Sequence, residues 1–149
     1  MADVQALVVQ SDVRELITFY LNGGLFGVDV AQVREVNRLQ DITRVPHAPE
    51  FVCGVINLRG EIVTVVDLRL ILNMPPTELS SRTRIVIVTH QDEQIGLLVD
   101  EIADVLIINV NDIEPIPPNI PAEERQYFSG VCKMESLLTT ILNLNGILS

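Results

Sequence analysis

Few residues in this chain have the types and spacing that chemistry needs. Asp29 and Asp100 stand two and four positions after Gly27 and Gly96, and two carboxylates converging in a groove could serve as acid and base for hydrolysis. The competing role for each is to cap a turn, and that reading is preferred. Asp67 ends an apolar strand and reads as the N-cap of one helical turn over Leu68 to Leu72. His47 and His90 lie 43 positions apart with no ligand-type neighbour at metal spacing, so both read as solvated surface residues. Ser80-Ser81 has no base beside it to make a nucleophile. Cys53 and Cys132 are isolated and read as reduced core residues, not as a disulfide or metal pair. No glycine-rich loop precedes a helix to cradle phosphate. The expectation is a protein with no catalytic residue, no cofactor and no metal.

One cation stands out by its setting. Gly54 to Arg69 reads as strand, tight turn, strand, with Asn57 and Gly60 as the turn residues that tolerate positive φ. Ile62-Val63-Thr64-Val65-Val66 is an unbroken β-branched run, apolar on both strand faces. Between the strands the turn lifts Arg59 away from an apolar segment. A guanidinium on a rigid hairpin suits recognition of a partner's surface, since arginine is a common interface anchor.

The bulk composition narrows the partner. Of 149 residues 48% are hydrophobic, enough for a proper core, and the net charge is −10. Eight of the ten cations precede residue 91, while Asp92 to Glu124 holds nine acids and no cation. That balance argues against nucleic acid, whose phosphates require the opposite sign. No apolar run reaches the ~18 residues of a membrane span. Met1-Ala2-Asp3 does not open a signal peptide, so the expected location is cytoplasmic.

The elements that position Arg59 are written twice. Shifted by 69 positions, Gly27 falls on Gly96, Val33 on Ile102, Glu35 on Asp104, Val36 on Val105 and Pro46 on Pro115. Shifted by 76, Gly54-Val55 falls on Gly130-Val131, Ile62 on Leu138, Asp67 on Asn143 and Ile71-Leu72 on Ile147-Leu148. The seven-residue difference is absorbed in the polar, proline-rich stretch from Pro117 to Gln126. Each copy of about 60 to 70 residues carries some five short strands, which predicts a small closed barrel. The expected boundaries are 14–76 for the first half and 82–149 for the second, with Thr77 to Ser81 as linker. Alone, each would be marginal; packed together with a groove between, they cover one another. The tip drifts between copies: Asn57-Leu58-Arg59-Gly60-Glu61 becomes Lys133-Met134-Glu135-Ser136-Leu137.

Phe51 to Gly60 followed by Ile62 to Arg69 resembles the motif of the CheW family, the coupling proteins of bacterial chemotaxis. Phe26-Gly27-Val28-Asp29 with Val33-Arg34-Glu35-Val36 fits the same family, as does Gly96-Leu97-Leu98-Val99-Asp100 with Asp104-Val105-Leu106. The resemblance runs from about Leu16 to Leu148. It implies a mainly β fold of two tandem SH3-like five-stranded barrels and a scaffold without catalytic activity. It also implies two partners, the cytoplasmic tip of chemoreceptors (methyl-accepting chemotaxis proteins) and the regulatory domain of the histidine kinase CheA. Location would be cytoplasmic, at receptor arrays near the inner membrane. By match to the family motif, Arg59, Glu35 and Val33 are the expected receptor-binding residues, with the receptor in the groove between halves. The chain departs from the family at Asn143, where an aspartate is frequent. The alternatives are the same module in twitching motility or another chemosensory pathway, a piece of the kinase's regulatory domain, and a hydrolase using Asp29 and Asp100.

Overall fold

A computed structural model describes residues 12–134 and 136–148. The opening residues read for a signal peptide, and Glu135 in the second copy's turn, lie outside that range. The first copy forms β1 (Val13–Leu21), β2 (Gly24–Asp29), β3 (Val33–Arg38), β4 (Val52–Leu58), β5 (Glu61–Asp67) and α1 (Leu68–Ile71). The second forms β6 (Arg84–His90), β7 (Glu93–Val99), β8 (Glu101–Asn109), β9 (Ile113–Glu114), α2 (Ala122–Arg125), β10 (Phe128–Met134), β11 (Leu137–Leu142) and α3 (Leu144–Leu148).

The local elements follow from side-chain chemistry. Asn22 and Gly23 join β1 to β2 with φ of 51° and 86°, the pair of positive values that a two-residue type I′ hairpin requires. Asp29 accepts from the Ala31 N–H at 2.9 Å and caps a single 3-10 turn over Val30–Gln32. Asp67 caps α1 in the same way, taking the Arg69 N–H at 3.0 Å. The β4–β5 turn differs from the sequence reading. Its positive φ values belong to Arg59 (51°) and Gly60 (86°), whereas Asn57 is in β4 and its Oδ1 accepts the Gly60 N–H at 3.0 Å.

The sheets cut across the two stretches 14–76 and 82–149. One sheet has the order β8-β1-β2-β11-β10-β9 and the other β3-β6-β7-β5-β4. The β1–β2 hairpin of the first copy therefore completes the second copy's sheet, and β6–β7 completes the first copy's. The exchange is symmetric: Ile141 pairs with Gly27 across the parallel β11–β2 seam, and Val65 pairs with Gly96 across β5–β7. The mainly β fold with two curled, barrel-like sheets is the one expected, and each of the stretches 14–76 and 82–149 lends a hairpin to the other's sheet. Both copies carry equivalent hairpins, so the strand pattern alone does not say which sheet each one joins.

Each sheet curls until its edges nearly meet. β8 and β9 sit at opposite ends of one order, yet only the 3-10 turn Val110–Asp112 separates them. In the other sheet, Thr43 lies a few residues past β3 and bridges Val55 of β4. The repeated glycines serve this closure. A Cβ on Gly54 (φ 146°) would fall on the Thr43 carbonyl oxygen, and one on Gly130 would come within 2.8 Å of the Glu114 carbonyl oxygen.

Among the described residues, three buried clusters form the core. Ile56, Leu58, Val63, Val65, Ile85, Ile87 and Leu98 pack inside the five-stranded sheet. Leu16, Ile108, Cys132 and Ile141 pack inside the six-stranded one. The largest cluster lies between them and joins Phe19, Phe26 and Val28 to Val66, Val86, Val88 and Leu97, with Leu68 and Leu144 from the helices. On β6, Ile85 and Ile87 face one cluster while Val86 and Val88 face another, so the strand is buried on both sides. The run after Arg59 meets that expectation only at Val65 and Val66, which are buried in succession: Ile62 is 68% exposed, and Thr64 is exposed beside buried Val63. At ~1.5–3 kcal/mol for a fully buried aliphatic side chain, the shared cluster binds the two sheets into one unit.

Candidate functional site

Arg59 occupies the left-handed region, where a non-glycine residue pays a steric cost that glycine would not. Its side chain is 71% exposed and reaches back to β3, where Nη2 donates to Glu35 Oε1 at 2.7 Å. β3 and β4 are the opposite edges of the five-stranded sheet, so this pair forms only because the sheet curls. Asn37 Nδ2 lies 3.4 Å from the same oxygen. The hydrogen bond from Arg59 holds the Glu35 carboxyl below the usual carboxylate range, and the Arg59 guanidinium is raised by the same bond. So exposed a pair is screened by salt and adds little to stability.

Val33 does not join this pair at the surface. It is half-buried and packs against the cluster between the sheets. A register irregularity falls between Val33 and Glu35, which pair with Val88 and Ile87 respectively. Two apolar residues stand near the pair that the sequence motif does not mark as binding residues: Val36 on β3 is 37% exposed, and Ile62 sits opposite Asn57 in the hairpin. The signal for Ile62 was its place at the first, tip-proximal end of the β-branched run. Beside it opens a cleft of about 690 Å³ lined by Glu61, Ile62, Thr64, Asp92, Glu93 and Ile95. The cleft exists because β5 and β7 first pair at Thr64–Ile95, leaving their starts apart.

The residues weighed for catalysis are otherwise engaged. Asp29 caps its 3-10 turn. Asp100 receives the Arg69 guanidinium, with Nε to Oδ1 at 2.9 Å, and also the Asn22 N–H at 2.9 Å. Two carboxylates committed to a cap and an ion pair are poor candidates for an acid–base couple. His47 is exposed in its loop, as read. His90 is not: it is 7% exposed, and its Nε2 has no hydrogen-bond partner among the described residues. Cys53 is half-buried and Cys132 buried, both unpaired. Among the described residues no group of three or more His, Cys, Asp or Glu is placed to hold a metal ion, and no helix is long and apolar enough to cross a membrane. The arrangement presents a charged pair at a hairpin tip with exposed apolar residues near it.

Comparison with known proteins places the chain in a family. The model of the CheW-like domain matches residues 15–149. The Chemotaxis protein CheW of Bacillus subtilis is 36% identical over 134 residues, which is 90% of this chain and 86% of that protein. The protein of the same name from Rhizobium meliloti is 35% identical over the same shares. The crystal structure of the scaffolding protein TtCheW from Thermoanaerobacter tengcongensis superposes with a TM-score of 0.84 at 33% identity, covering 91% of this chain and 88% of that one. With two exchanged, curled sheets and an arginine-tipped hairpin already described, a match across nearly the whole chain places it in the CheW family.

Proposed function

We propose that this chain is a non-catalytic adaptor of bacterial chemotaxis, coupling the cytoplasmic tip of chemoreceptors to the regulatory domain of a CheA-type histidine kinase. The observation that carries the reading is the Arg59–Glu35 pair. An arginine is kept at a strained turn position, pointed at solvent, and oriented by a carboxylate from the opposite sheet edge. Stability does not require such a pair, and recognition does.

In this reading Glu35 pre-orders the guanidinium, lowering the entropy lost when a partner binds it. Charge complementarity at Arg59 and Glu35 fixes the orientation of a helical receptor hairpin. Val33 shapes the groove wall from beneath, through its packing against the cluster between the sheets. The relatives' printed names, chemotaxis and scaffolding, support the role, and the protein acts in the cytoplasm at receptor arrays. The test is reconstitution of this chain with a receptor fragment and the kinase, following kinase autophosphorylation. A receptor-dependent change in rate on adding the chain is expected. No change, with all three components folded, would overturn the coupling role.

A further inference from the structure

A second site lies away from the hairpin tip, where the end of β3 meets the start of β6. Arg38 and Arg84 are directly opposed in the β3–β6 register. Like charges placed opposite one another destabilise a sheet. Neither arginine has a carboxylate partner among the described residues, in a chain with twice as many acids as bases. Both line a cleft of about 480 Å³ together with Leu39, Ser80, Ser81 and Thr83. Among the described residues, that lining includes no acidic residue.

The cleft is also pre-ordered. The Arg84 Nη1 donates to the Ser81 carbonyl at 2.9 Å and to the Thr83 carbonyl at 2.8 Å, which holds one corner of the fork and leaves Nε and Nη2 for other acceptors. The loop beneath is closed on itself. The Ser80 N–H donates to Thr83 Oγ1 at 2.9 Å, the Thr83 N–H returns to the Ser80 carbonyl at 3.2 Å, and Thr83 is fully buried. The Ser80 Oγ accepts the Arg82 N–H at 3.1 Å, so its own hydrogen is available to donate. Arg38 is exposed and makes no side-chain hydrogen bond among the described residues.

We propose that Arg38, Arg84 and the Ser80-Ser81 hydroxyls form a binding site for a dianionic, phosphate-class oxyanion. Two guanidinium forks and nearby hydroxyls match tetrahedral oxygens that accept several donors at once. Two positive charges on one cleft favour a dianion over a monocarboxylate. A bound dianion would remove the repulsion between the two opposed arginines. This inference is independent of the coupling role.

The test is a titration of the isotope-labelled full chain with inorganic phosphate at constant ionic strength, read by amide shifts. Saturable shifts confined to Arg38, Leu39 and Ser80 to Arg84 are expected, with acetate giving none that saturate. Arg38→Gln should raise the midpoint about tenfold, the loss of one charge-assisted contact. In phosphate-free buffer the same variant should melt at or above the parent, because the repulsion is gone, and it should lose the stabilisation that phosphate gives the parent. O-phosphoserine, titrated in parallel, separates a free ion from a phosphomonoester by which one saturates at lower concentration. Shifts that rise linearly at every arginine, an unchanged midpoint in Arg38→Gln, or a variant that melts below the parent without phosphate would each overturn the site.

Discussion

The Arg59 guanidinium and the Glu35 carboxylate meet at 2.7 Å, although Arg59 sits in the turn after β4 and Glu35 lies on β3, at the opposite end of the five-stranded sheet's order. One contact thus reports two properties. The sheet is curled, and its hairpin tip is held in a single orientation toward solvent.

Arg59→Ala should weaken receptor binding about tenfold or more, the scale of an interface arginine. Its melting temperature should stay near the parent's, since the pair is exposed. Arg59→Gly should bind equally poorly yet melt higher, because glycine relieves the left-handed backbone. Calorimetric titration with a receptor fragment and a thermal melt separate the two effects, and undiminished affinity in Arg59→Ala removes Arg59 from the interface.

Glu35 carries a pH prediction of definite sign. Arg59 lowers its folded pKa below the unfolded value, so the pair's contribution is present above the ordinary glutamate range and is lost as pH falls through the depressed value. Carbon-detected titration of the Glu35 carboxyl should show a low midpoint in the parent. The midpoint should return toward the ordinary range in Arg59→Ala; no difference between the two would break the pairing.

Asp67 holds more of the fold than its neighbours do. It is 5% exposed and accepts three donors: the Arg69 N–H at 3.0 Å, the Thr77 N–H at 3.1 Å and the Thr77 hydroxyl at 2.7 Å. It thereby caps α1 and pins the stretch leading to the second copy. Asp67→Ala should cost about 3 kcal/mol by denaturant unfolding, the sum of a lost cap and a buried charge-assisted bond. Asp67→Asn, which keeps an acceptor, should cost less.

The two glycine classes should respond differently. Gly54→Ala places a methyl on the Thr43 carbonyl, where backbone would have to move, and should prevent closure of the sheet. Gly23→Ala meets nothing within 4 Å and carries only the strain of φ 86°, about 1 kcal/mol. Soluble yield and circular dichroism of the two variants provide the comparison.

Cys53 should be a poor nucleophile. Burial first, and then the negative charge of Asp67, push its thiol up to about 11. Reaction with a thiol reagent at pH 8 should be slow in the native chain and fast once it is unfolded. The neutral thiol is favoured by folding, so this residue's contribution to stability is present at neutral pH and fades as pH rises past the ordinary thiol value.

Much of this molecule could be read before any coordinates. The hairpin from Gly54 to Arg69, the caps at Asp29 and Asp67, and the repeat that sets Gly54 on Gly130 are all local patterns. The hairpin and the caps depend on residues close in sequence, and the repeat shows as the same short pattern written twice. Which hairpin completes which sheet is another kind of question. The pattern in β6 requires cover on both faces, but any apolar neighbour would satisfy it, and only the long-range packing of β1–β2 and β6–β7 selects the exchanged partner. The same distinction explains the site. Glu35 and Arg59 were legible as separate charges, and their meeting depends on the sheet's curvature. Val33 has an apolar identity that suits a groove wall or a core alike, and only the packed sheets set it against the cluster between them. His90 looked like a surface residue because nothing within a few positions of it reveals the cover supplied by distant strands. Sequence specifies which faces must be buried, and tertiary packing specifies what buries them.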